Sequence, residues 1–241
     1  MADPNHSFQT LSQLHEQLLA GRVTSRELTE RALDAASSSS ESAATFTTLH
    51  AASARASADA IDLQRAAGVP LAPLAGIPIS IKDLFDEAGR VTLAGSKALD
   101  DAQPAQSDCA VVARLRAAGA VIIGRTNMTE FAYSGLGLNP HYGTPRNPWD
   151  RASGRVPGGS SSGAAVSVTD GMAAAAIGTD TGGSVRIPSA LCGLTGFKPT
   201  ARRVPISGVV PLAHSLDSIG PLARSVECCA LLDAVLAAEP S

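Results

Sequence analysis

Hydrophobic positions near the start of the chain recur at helical spacing. The leucines from Leu11 to Leu19 fall at intervals typical of one helix face, and Gly21 is placed to end that helix. Thr24-Ser25-Arg26-Glu27 has the capping-box pattern, which predicts the start of a second helix. The predicted helices in this part are 11–20, 25–36 and 51–67. Residues 1–70 are therefore expected to form an N-terminal helical segment that packs on the core.

From residue 71 onward, short apolar runs alternate with helical segments. The apolar run Ile77–Leu84 is interrupted only by Ser80, Lys82 and Asp83, and it predicts a buried strand. The other predicted elements are a helix capped by Ser107-Asp108 and ending at 118, a strand at 120–123, a capping-box helix start at 127–130, a helix at 162–173, a strand at 175–178 and a helix at 225–238. This alternation predicts an α/β fold with a sheet covered by helices on both faces.

The composition is that of an ordinary globular protein. The chain of 241 residues is 44% hydrophobic, 17% charged and only 3% aromatic, which predicts a sizeable core of small aliphatic side chains. A formal net charge of −3 gives no indication of a nucleic-acid or membrane partner. The first residues lack the features of a signal peptide, and no apolar run reaches the roughly 18 residues that span a bilayer.

The cysteines and histidines carry no recognisable site. Cys109, Cys192, Cys228 and Cys229 form no CxxC pair, so they are expected to be reduced, buried small residues of a cytoplasmic protein. The five histidines match no spacing of metal ligands or of a catalytic triad. No metal is therefore expected.

The segment Pro157–Pro199 contains the candidate chemistry. Gly158-Gly159 leads into Ser160, and Gly182-Gly183 leads into Ser184. Glycine lets the main chain turn sharply and lets a substrate approach the peptide N–H groups, which are the donors that a developing oxyanion needs. The pattern favours acyl transfer at a serine.

Several other interpretations of these serines are open. Gly159–Gly163 matches the G-x-S-x-G elbow of α/β-hydrolases, which would make Ser161 the nucleophile, but the preceding residues form a predicted loop rather than a strand. Only His214 follows as a potential base, in a Pro/Gly-rich loop. Ser160 or its neighbours could cap the next helix, Ser184 could do the same, and a Gly-rich loop could bind phosphate.

A serine nucleophile without a histidine needs another base, and Lys82 is the candidate. This lysine interrupts an apolar run, and burial lowers the pKa of an amine. At the ordinary pKa of about 10.4, only about one molecule in two thousand would be neutral at pH 7. The alternative is a lysine at a strand end, paired with Asp83.

Several separate motifs resemble the amidase signature family, whose members hydrolyse amides and include the glutamine-amidase subunits of tRNA amidotransferases. The resemblance covers about Leu74 to Val226. Its motifs, in order, are GIPISIKD at 76–83, GRTNMTEFA at 124–132, NPHYG and RNPW between 139 and 149, the long segment 157–199, and SLDSIGP at 215–221.

The resemblance implies a serine–cis-serine–lysine triad, with Lys82 as base, Ser160 as the bridging serine after a cis peptide, and Ser184 as nucleophile. This assignment displaces Ser161. Main-chain N–H groups of Thr181, Gly182, Gly183 and Ser184 would then form the oxyanion hole. Asp180 and Arg186 are expected to support the nucleophile loop, with a plain surface ion pair as the alternative. The family chemistry implies no cofactor and no metal.

The resemblance also implies a fold: the amidase-signature fold with a mixed central sheet, of which residues 71–241 would be the core. Family members usually continue beyond the SLDSIGP motif, so the C-terminal part of that fold is expected to be absent. A fragment, a truncated product and half of an assembly such as a homodimer are all open explanations. The expected function is an amidase acting on small carboxylic amides. The alternatives are an amidotransferase subunit that releases ammonia for a partner, and a truncated module without catalysis.

Overall fold

Strands and helices alternate through most of the chain, and a computed structural model describes residues 9–239. Within those residues the helices are α1 (Leu11–Leu19), α2 (Ser25–Ser38), α3 (Ser42–Thr45), α4 (Ala51–Ala66), α5 (Ala110–Ala117), α6 (Ser162–Thr169), α7 (Arg186–Cys192) and α8 (Val226–Ala237). The strands are β1 (Phe46–Leu49), β2 (Pro78–Lys82), β3 (Val121–Thr126), β4 (Ala175–Asp180), β5 (Thr195–Gly196) and β6 (Ser218–Ala223). The predicted α/β class is confirmed.

The strands form one mixed sheet in the order β1-β3-β2-β4-β6-β5. Strand β2 lies parallel to both β3 and β4, and all five of its residues are buried. The outer pairs, β1 with β3, β4 with β6 and β5 with β6, are antiparallel. Parallel neighbours place the C-terminal ends of β2 and β4 at the same edge of the sheet, and this edge carries the candidate site.

Helices cover both faces of the sheet, as predicted. Alternate residues of a strand point to opposite faces, so Ile122 packs in one core cluster while Val121 and Ile123 pack in another. The first cluster includes apolar residues of α1, α5 and α8. On the opposite face, α4 packs against β3 and α6 packs against β4.

One strand lies in the segment predicted to be helical before residue 71. Phe46–Leu49 forms β1 and pairs with β3, because Phe46, Thr47 and Thr48 are aromatic and β-branched residues that favour strands. The helices of this segment are otherwise close to prediction, and Thr24 makes the expected capping box with Glu27.

Two predicted helix starts are wrong. The capping-box pattern at 127–130 is followed only by a short 3-10 turn, Glu130–Ala132, because Phe131 and Ala132 have left-handed backbone angles with φ of 48° and 60°. Helix α5 begins after Cys109 rather than after Ser107-Asp108. The Asp108 carboxylate instead accepts a hydrogen bond from the main-chain N–H of Ala88, 2.8 Å away.

The four cysteines are free and buried, as predicted. The part of the chain from 9 to 239 brings together no group of three His, Cys, Asp or Glu side chains that could hold a metal ion. In the same residues, no helix combines the length and the apolar character needed to cross a membrane.

The burial of β2 leads to a stability prediction. We expect Ile79→Ala to lower the free energy of unfolding by about 2–5 kcal/mol, because Ile79 is fully buried between two parallel strands and its loss leaves a cavity. Leu63→Ala is the matched control, since Leu63 is 71% exposed on α4 and should change stability little. Urea denaturation of both variants measures the difference. Equal effects of the two substitutions would contradict the core position of β2.

Candidate active site

Lys82 is the last residue of strand β2, and its side chain is fully buried. Its amine donates hydrogen bonds to the Ser160 hydroxyl at 2.7 Å and to the Thr179 hydroxyl at 2.9 Å. Asp83 does not pair with it: the Asp83 carboxylate accepts from the guanidinium of Arg125, 2.7 Å away and also buried. The alternative of a Lys82–Asp83 ion pair is therefore wrong.

Burial changes the acid–base character of this amine. It lowers the pKa of Lys82 to about 7, although the carboxylates of Asp180 and Asp217 act in the opposite direction. A group with that pKa is neutral in about half of the molecules at pH 7. Lys82 thus has the two properties of a general base at neutral pH: a free electron pair and a hydroxyl within hydrogen-bond distance.

Ser160 is held against Lys82 by a constrained segment of main chain. The peptide bond between Gly159 and Ser160 is cis, as the family resemblance implies. A Cβ atom at Gly159 would lie 2.6 Å from the main-chain nitrogen of Gly137, so only glycine fits there. The Ser160 carbonyl accepts a hydrogen bond from the Thr129 N–H at 3.0 Å. These contacts fix the main chain of Ser160, and its hydroxyl is held by the hydrogen bond from Lys82.

Ser161, the elbow candidate, faces a different environment. It is fully buried, and its hydroxyl donates to the Thr179 carbonyl oxygen at 3.4 Å rather than facing a cleft. Its position before α6 provides no side-chain cap. Its main-chain N–H donates to the Ser184 carbonyl at 3.2 Å, so the two serine segments meet through the main chain. Within residues 9–239 no hydrogen bond joins the hydroxyls of Ser160 and Ser184. The elbow geometry is absent because loop residues, not a strand, precede this serine.

Ser184 lies in the loop between β4 and α7, on the same sheet edge as Lys82. It is 7% exposed and lines an open cleft of about 450 Å³. Tyr133, Leu212 and Ala213 form other parts of the cleft wall. Ser184 is therefore the serine of the two glycine-serine runs that a small molecule in this cleft can reach.

Asp180 organises the Ser184 loop from inside. Its fully buried carboxylate accepts hydrogen bonds from the main-chain N–H groups of Gly183, Val185 and Arg186 at 2.8, 3.1 and 3.2 Å. The Arg186 guanidinium adds two more, at 3.0 and 2.9 Å. Burial raises the pKa of Asp180, but these hydrogen bonds outweigh that effect and leave the pKa below its ordinary value. This is a buried loop support rather than a plain surface ion pair.

The hydrogen bonds of Asp180 also decide which of the expected oxyanion donors are free to bind a substrate. The Gly183 N–H already has the Asp180 carboxylate as partner and is not free for a substrate. Within residues 9–239, the N–H groups of Gly182 and Ser184 have no hydrogen-bond partner, and both residues line the cleft. Thr181, also expected as a donor, lines the smaller neighbouring cavity rather than this cleft.

Thr179 and Asp217 are site residues that the sequence analysis missed. Thr179 is the second hydrogen-bond partner of the Lys82 amine, and the Asp217 carboxylate accepts from the Thr181 hydroxyl. Both lie inside family motifs, GTDTGGS and SLDSIGP. The sequence held no local signal for Thr179, because its contact with Lys82 joins two strands whose residues are 97 positions apart.

Comparison with known proteins identifies the family. The family model described as Amidase matches residues 27–240. The chain belongs to the amidase signature family.

Two curated amidase-signature relatives illustrate the similarity. AtzE of Pseudomonas sp. (strain ADP), which is one subunit of a 1-carboxybiuret hydrolase, is 46% identical over 226 residues, which are 93% of this chain and 49% of that protein. A glutamyl-tRNA(Gln) amidotransferase subunit of Roseiflexus sp. (strain RS-1) is 48% identical over 228 residues, 95% of this chain and 46% of its own length. The chain spans about half the length of these relatives.

A solved amidase-signature structure has the same fold. The native peptide amidase from Stenotrophomonas maltophilia superposes with a TM-score of 0.87 at 34% identity, covering 96% of this chain and 48% of that one. The predicted amidase-signature fold is therefore confirmed for the part of the chain described.

The lowered pKa of Lys82 makes stability depend on pH. In the unfolded chain this amine stays protonated up to about pH 10, but in the folded amidase-family protein only below about pH 7. The unfolded state then binds more protons between these values, so the free energy of unfolding rises with pH, by at most about 1.4 kcal/mol per pH unit.

We expect Lys82→Met to remove this contribution. The stability of the variant relative to wild type should be highest near pH 7 and should fall steadily towards pH 10. Urea denaturation at several pH values measures it, with the exposed Lys97→Met as matched control. Parallel pH curves for wild type and Lys82→Met would show that the amine is not held in its neutral form.

Proposed function

We propose that this chain is an amide hydrolase that cleaves the C–N bond of small carboxylic amides through Lys82, Ser160 and Ser184. The observation that carries the proposal is the 2.7 Å hydrogen bond from the buried Lys82 amine to the Ser160 hydroxyl, beside a serine that lines a cleft. The family relationship supports the same chemistry. Each step of the reaction uses these side chains, the substrate and water.

In the acylation step, protons move along the three side chains. Neutral Lys82 takes the proton of the Ser160 hydroxyl, and Ser160 takes the proton of the Ser184 hydroxyl as that oxygen bonds to the amide carbon. The carbonyl electron pair moves to oxygen, where the N–H groups of Gly182 and Ser184 stabilise it. One such donor is typically worth about two to three orders of magnitude in rate.

Collapse of this intermediate breaks the C–N bond. The proton held by Lys82 returns through Ser160 to the leaving nitrogen, which departs as ammonia from a primary amide. The product on the protein is an acyl ester of Ser184. Water then adds to the ester carbon, giving one proton to the same relay, and the Ser184 oxygen leaves with a proton as the carboxylic acid is released.

The low pKa of Lys82 accounts for much of the expected efficiency. At the ordinary pKa of about 10.4, about one molecule in two thousand would have a neutral amine at pH 7. At about 7 the neutral fraction is about one half, so the population of active base rises by about three orders of magnitude.

A second candidate function uses the same chemistry. The 48% identity to a glutamyl-tRNA(Gln) amidotransferase subunit favours a role in releasing ammonia from glutamine for a partner protein. Turnover of simple amides by the purified chain alone favours the amidase. Turnover of glutamine only in the presence of a partner favours the amidotransferase role, and a third possibility, a module without catalysis, predicts neither.

A serine-directed fluorophosphonate probe tests the nucleophile. We expect the probe to label Ser184, since that serine lines the cleft, and in the proposed mechanism its proton passes to Ser160. Ser184→Ala should abolish labelling, whereas Ser37→Ala, at an exposed serine of α2, should not change it. Peptide mapping by mass spectrometry locates the adduct. An adduct on Ser161 would assign the nucleophile to the elbow position instead.

Substitution of the base gives an independent test. Lys82→Met keeps the apolar part of the side chain and loses the amine, so amide turnover should fall by about two to four orders of magnitude. Lys97→Met, at an exposed lysine, is the control and should retain full turnover. If Lys82→Met slowed turnover only a few-fold, proton abstraction by Lys82 would have to be abandoned.

A further inference from the structure

The Asp217 carboxylate holds one wall of the cleft. It accepts hydrogen bonds from the main-chain N–H of Leu212 at 2.9 Å and from that of Ala213 at 3.0 Å. Leu212 and Ala213 both line the cleft that contains Ser184. Asp217 therefore fixes the loop 212–217 in the shape that forms this wall.

The same carboxylate also holds the loop that carries the oxyanion donors. The Thr181 hydroxyl donates to Asp217, and Thr181 directly precedes Gly182, a cleft residue whose N–H has no partner among residues 9–239. One side chain thus joins the cleft wall to the oxyanion loop. No other hydrogen bond between side chains in the described part of the chain connects these two loops.

Asp217 also borders a second, smaller cavity next to a partner of the Lys82 amine. This cavity measures about 10 Å³, room for about one water molecule, and its lining is mostly aliphatic. The polar residues of its lining are Thr179, Thr181 and Asp217. Thr179 is the residue whose hydroxyl accepts a hydrogen bond from Lys82 at 2.9 Å. Asp217 therefore holds the cleft wall and also shares a cavity with Thr179, a hydrogen-bond partner of Lys82.

The charge of Asp217 has no paired cation in the described part of the chain. Two carboxylates act on Lys82, those of Asp180 and Asp217. Asp180 is paired with Arg186 at 2.9 Å, whereas Asp217 takes part in no ion pair within residues 9–239. The groups in contact with the amine, Ser160 and Thr179, are uncharged hydroxyls, and the adjacent Asp83 is paired with Arg125 at 2.7 Å. Asp217 is partly buried, and its charge favours the protonated form of the Lys82 amine, although less than that of Asp180 does.

We propose that Asp217 is a positioning residue with two effects: it holds the cleft wall against the oxyanion loop, and its charge raises the pH at which Lys82 becomes neutral. The second effect rests on the proposed function and deepens it, because an amine that lost its proton far below pH 7 would be too weak a base. The two effects are separable by substitution. Asp217→Asn removes the charge, whereas Thr181→Val removes the link between the loops and keeps the charge.

An NMR titration of the lysine side chains, labelled with ¹³C at Cε, tests the charge effect in the full chain without requiring turnover. Lys82→Met identifies the Lys82 signal. We expect Asp217→Asn to move the titration midpoint of Lys82 to lower pH by about half a pH unit or more, because a stabilising negative charge is lost. Thr181→Val and Asp217→Glu, which both keep the charge, should leave the midpoint close to that of wild type.

The proposal is overturned if Asp217→Asn leaves the midpoint unchanged, or if Thr181→Val shifts it as much. If Asp217→Asn does not fold, Asp217→Ser removes the same charge and carries the same expectation. If neither variant folds while Thr181→Val does, Asp217 is a purely structural residue, which also overturns the proposal.

Kinetics test the positioning effect. For amide hydrolysis we expect Thr181→Val to lower kcat by about ten-fold, because the oxyanion donors are displaced. The acid limb of its pH profile, where activity falls as Lys82 becomes protonated, should not move. Asp217→Asn should lower kcat and move that limb to lower pH, and Asp217→Glu should restore the limb. An unchanged kcat in Thr181→Val overturns the link between the loops. Wild type without turnover contradicts the proposed function, and the titration then decides the role of Asp217 by itself.

Discussion

The site depends on one interaction: an amine enclosed in the protein and held between two hydroxyl groups. Lys82 is fully buried, and Ser160 and Thr179 accept its hydrogen bonds at 2.7 and 2.9 Å. Burial disfavours the ammonium form, while the hydroxyls can accept from either form, so the neutral amine persists at neutral pH. A histidine would need no such burial, because its ordinary pKa is already near 7. The lysine that we propose as the base depends on the surrounding apolar core to keep it neutral.

The sheet supplies both the burial and the geometry. Strand β2 is enclosed by parallel neighbours, and Lys82 is its last residue, so the stem of the side chain lies in the core while the amine reaches the sheet edge. Strand β4 ends at the same edge and passes into the Ser184 loop. Asp180 holds that loop by accepting three main-chain N–H groups, and one of them belongs to Gly183. The Gly183 N–H is therefore occupied, and the oxyanion donors that we propose are the N–H groups of its neighbours Gly182 and Ser184.

The sequence predicted strand β2 from its apolar run, and it made Lys82 a candidate base because this lysine interrupts that run. The assignment of Lys82 to a triad came from the family resemblance. It predicted α2 from a capping box whose side chains do form. Strand β6 escaped prediction because Gly220 and Pro221 lie inside it and weaken the strand signal. Helix α7 was missed because Pro188 reads as a helix breaker. In the structure it lies in the first turn of the helix, where proline is tolerated. Contacts between distant segments, such as Thr181 with Asp217, depend on tertiary packing and have no local pattern.

The rate at which a fluorophosphonate labels Ser184, measured across pH, tests the central claim most directly, because the reaction needs both the nucleophile and its base. A neutral Lys82 that activates Ser184 through Ser160 predicts a labelling rate that rises with a midpoint near pH 7, the pKa of about 7 given by burial. The rise should be absent in Lys82→Met. A rate that rises only with a midpoint near the ordinary lysine pKa of about 10.4 would contradict the account.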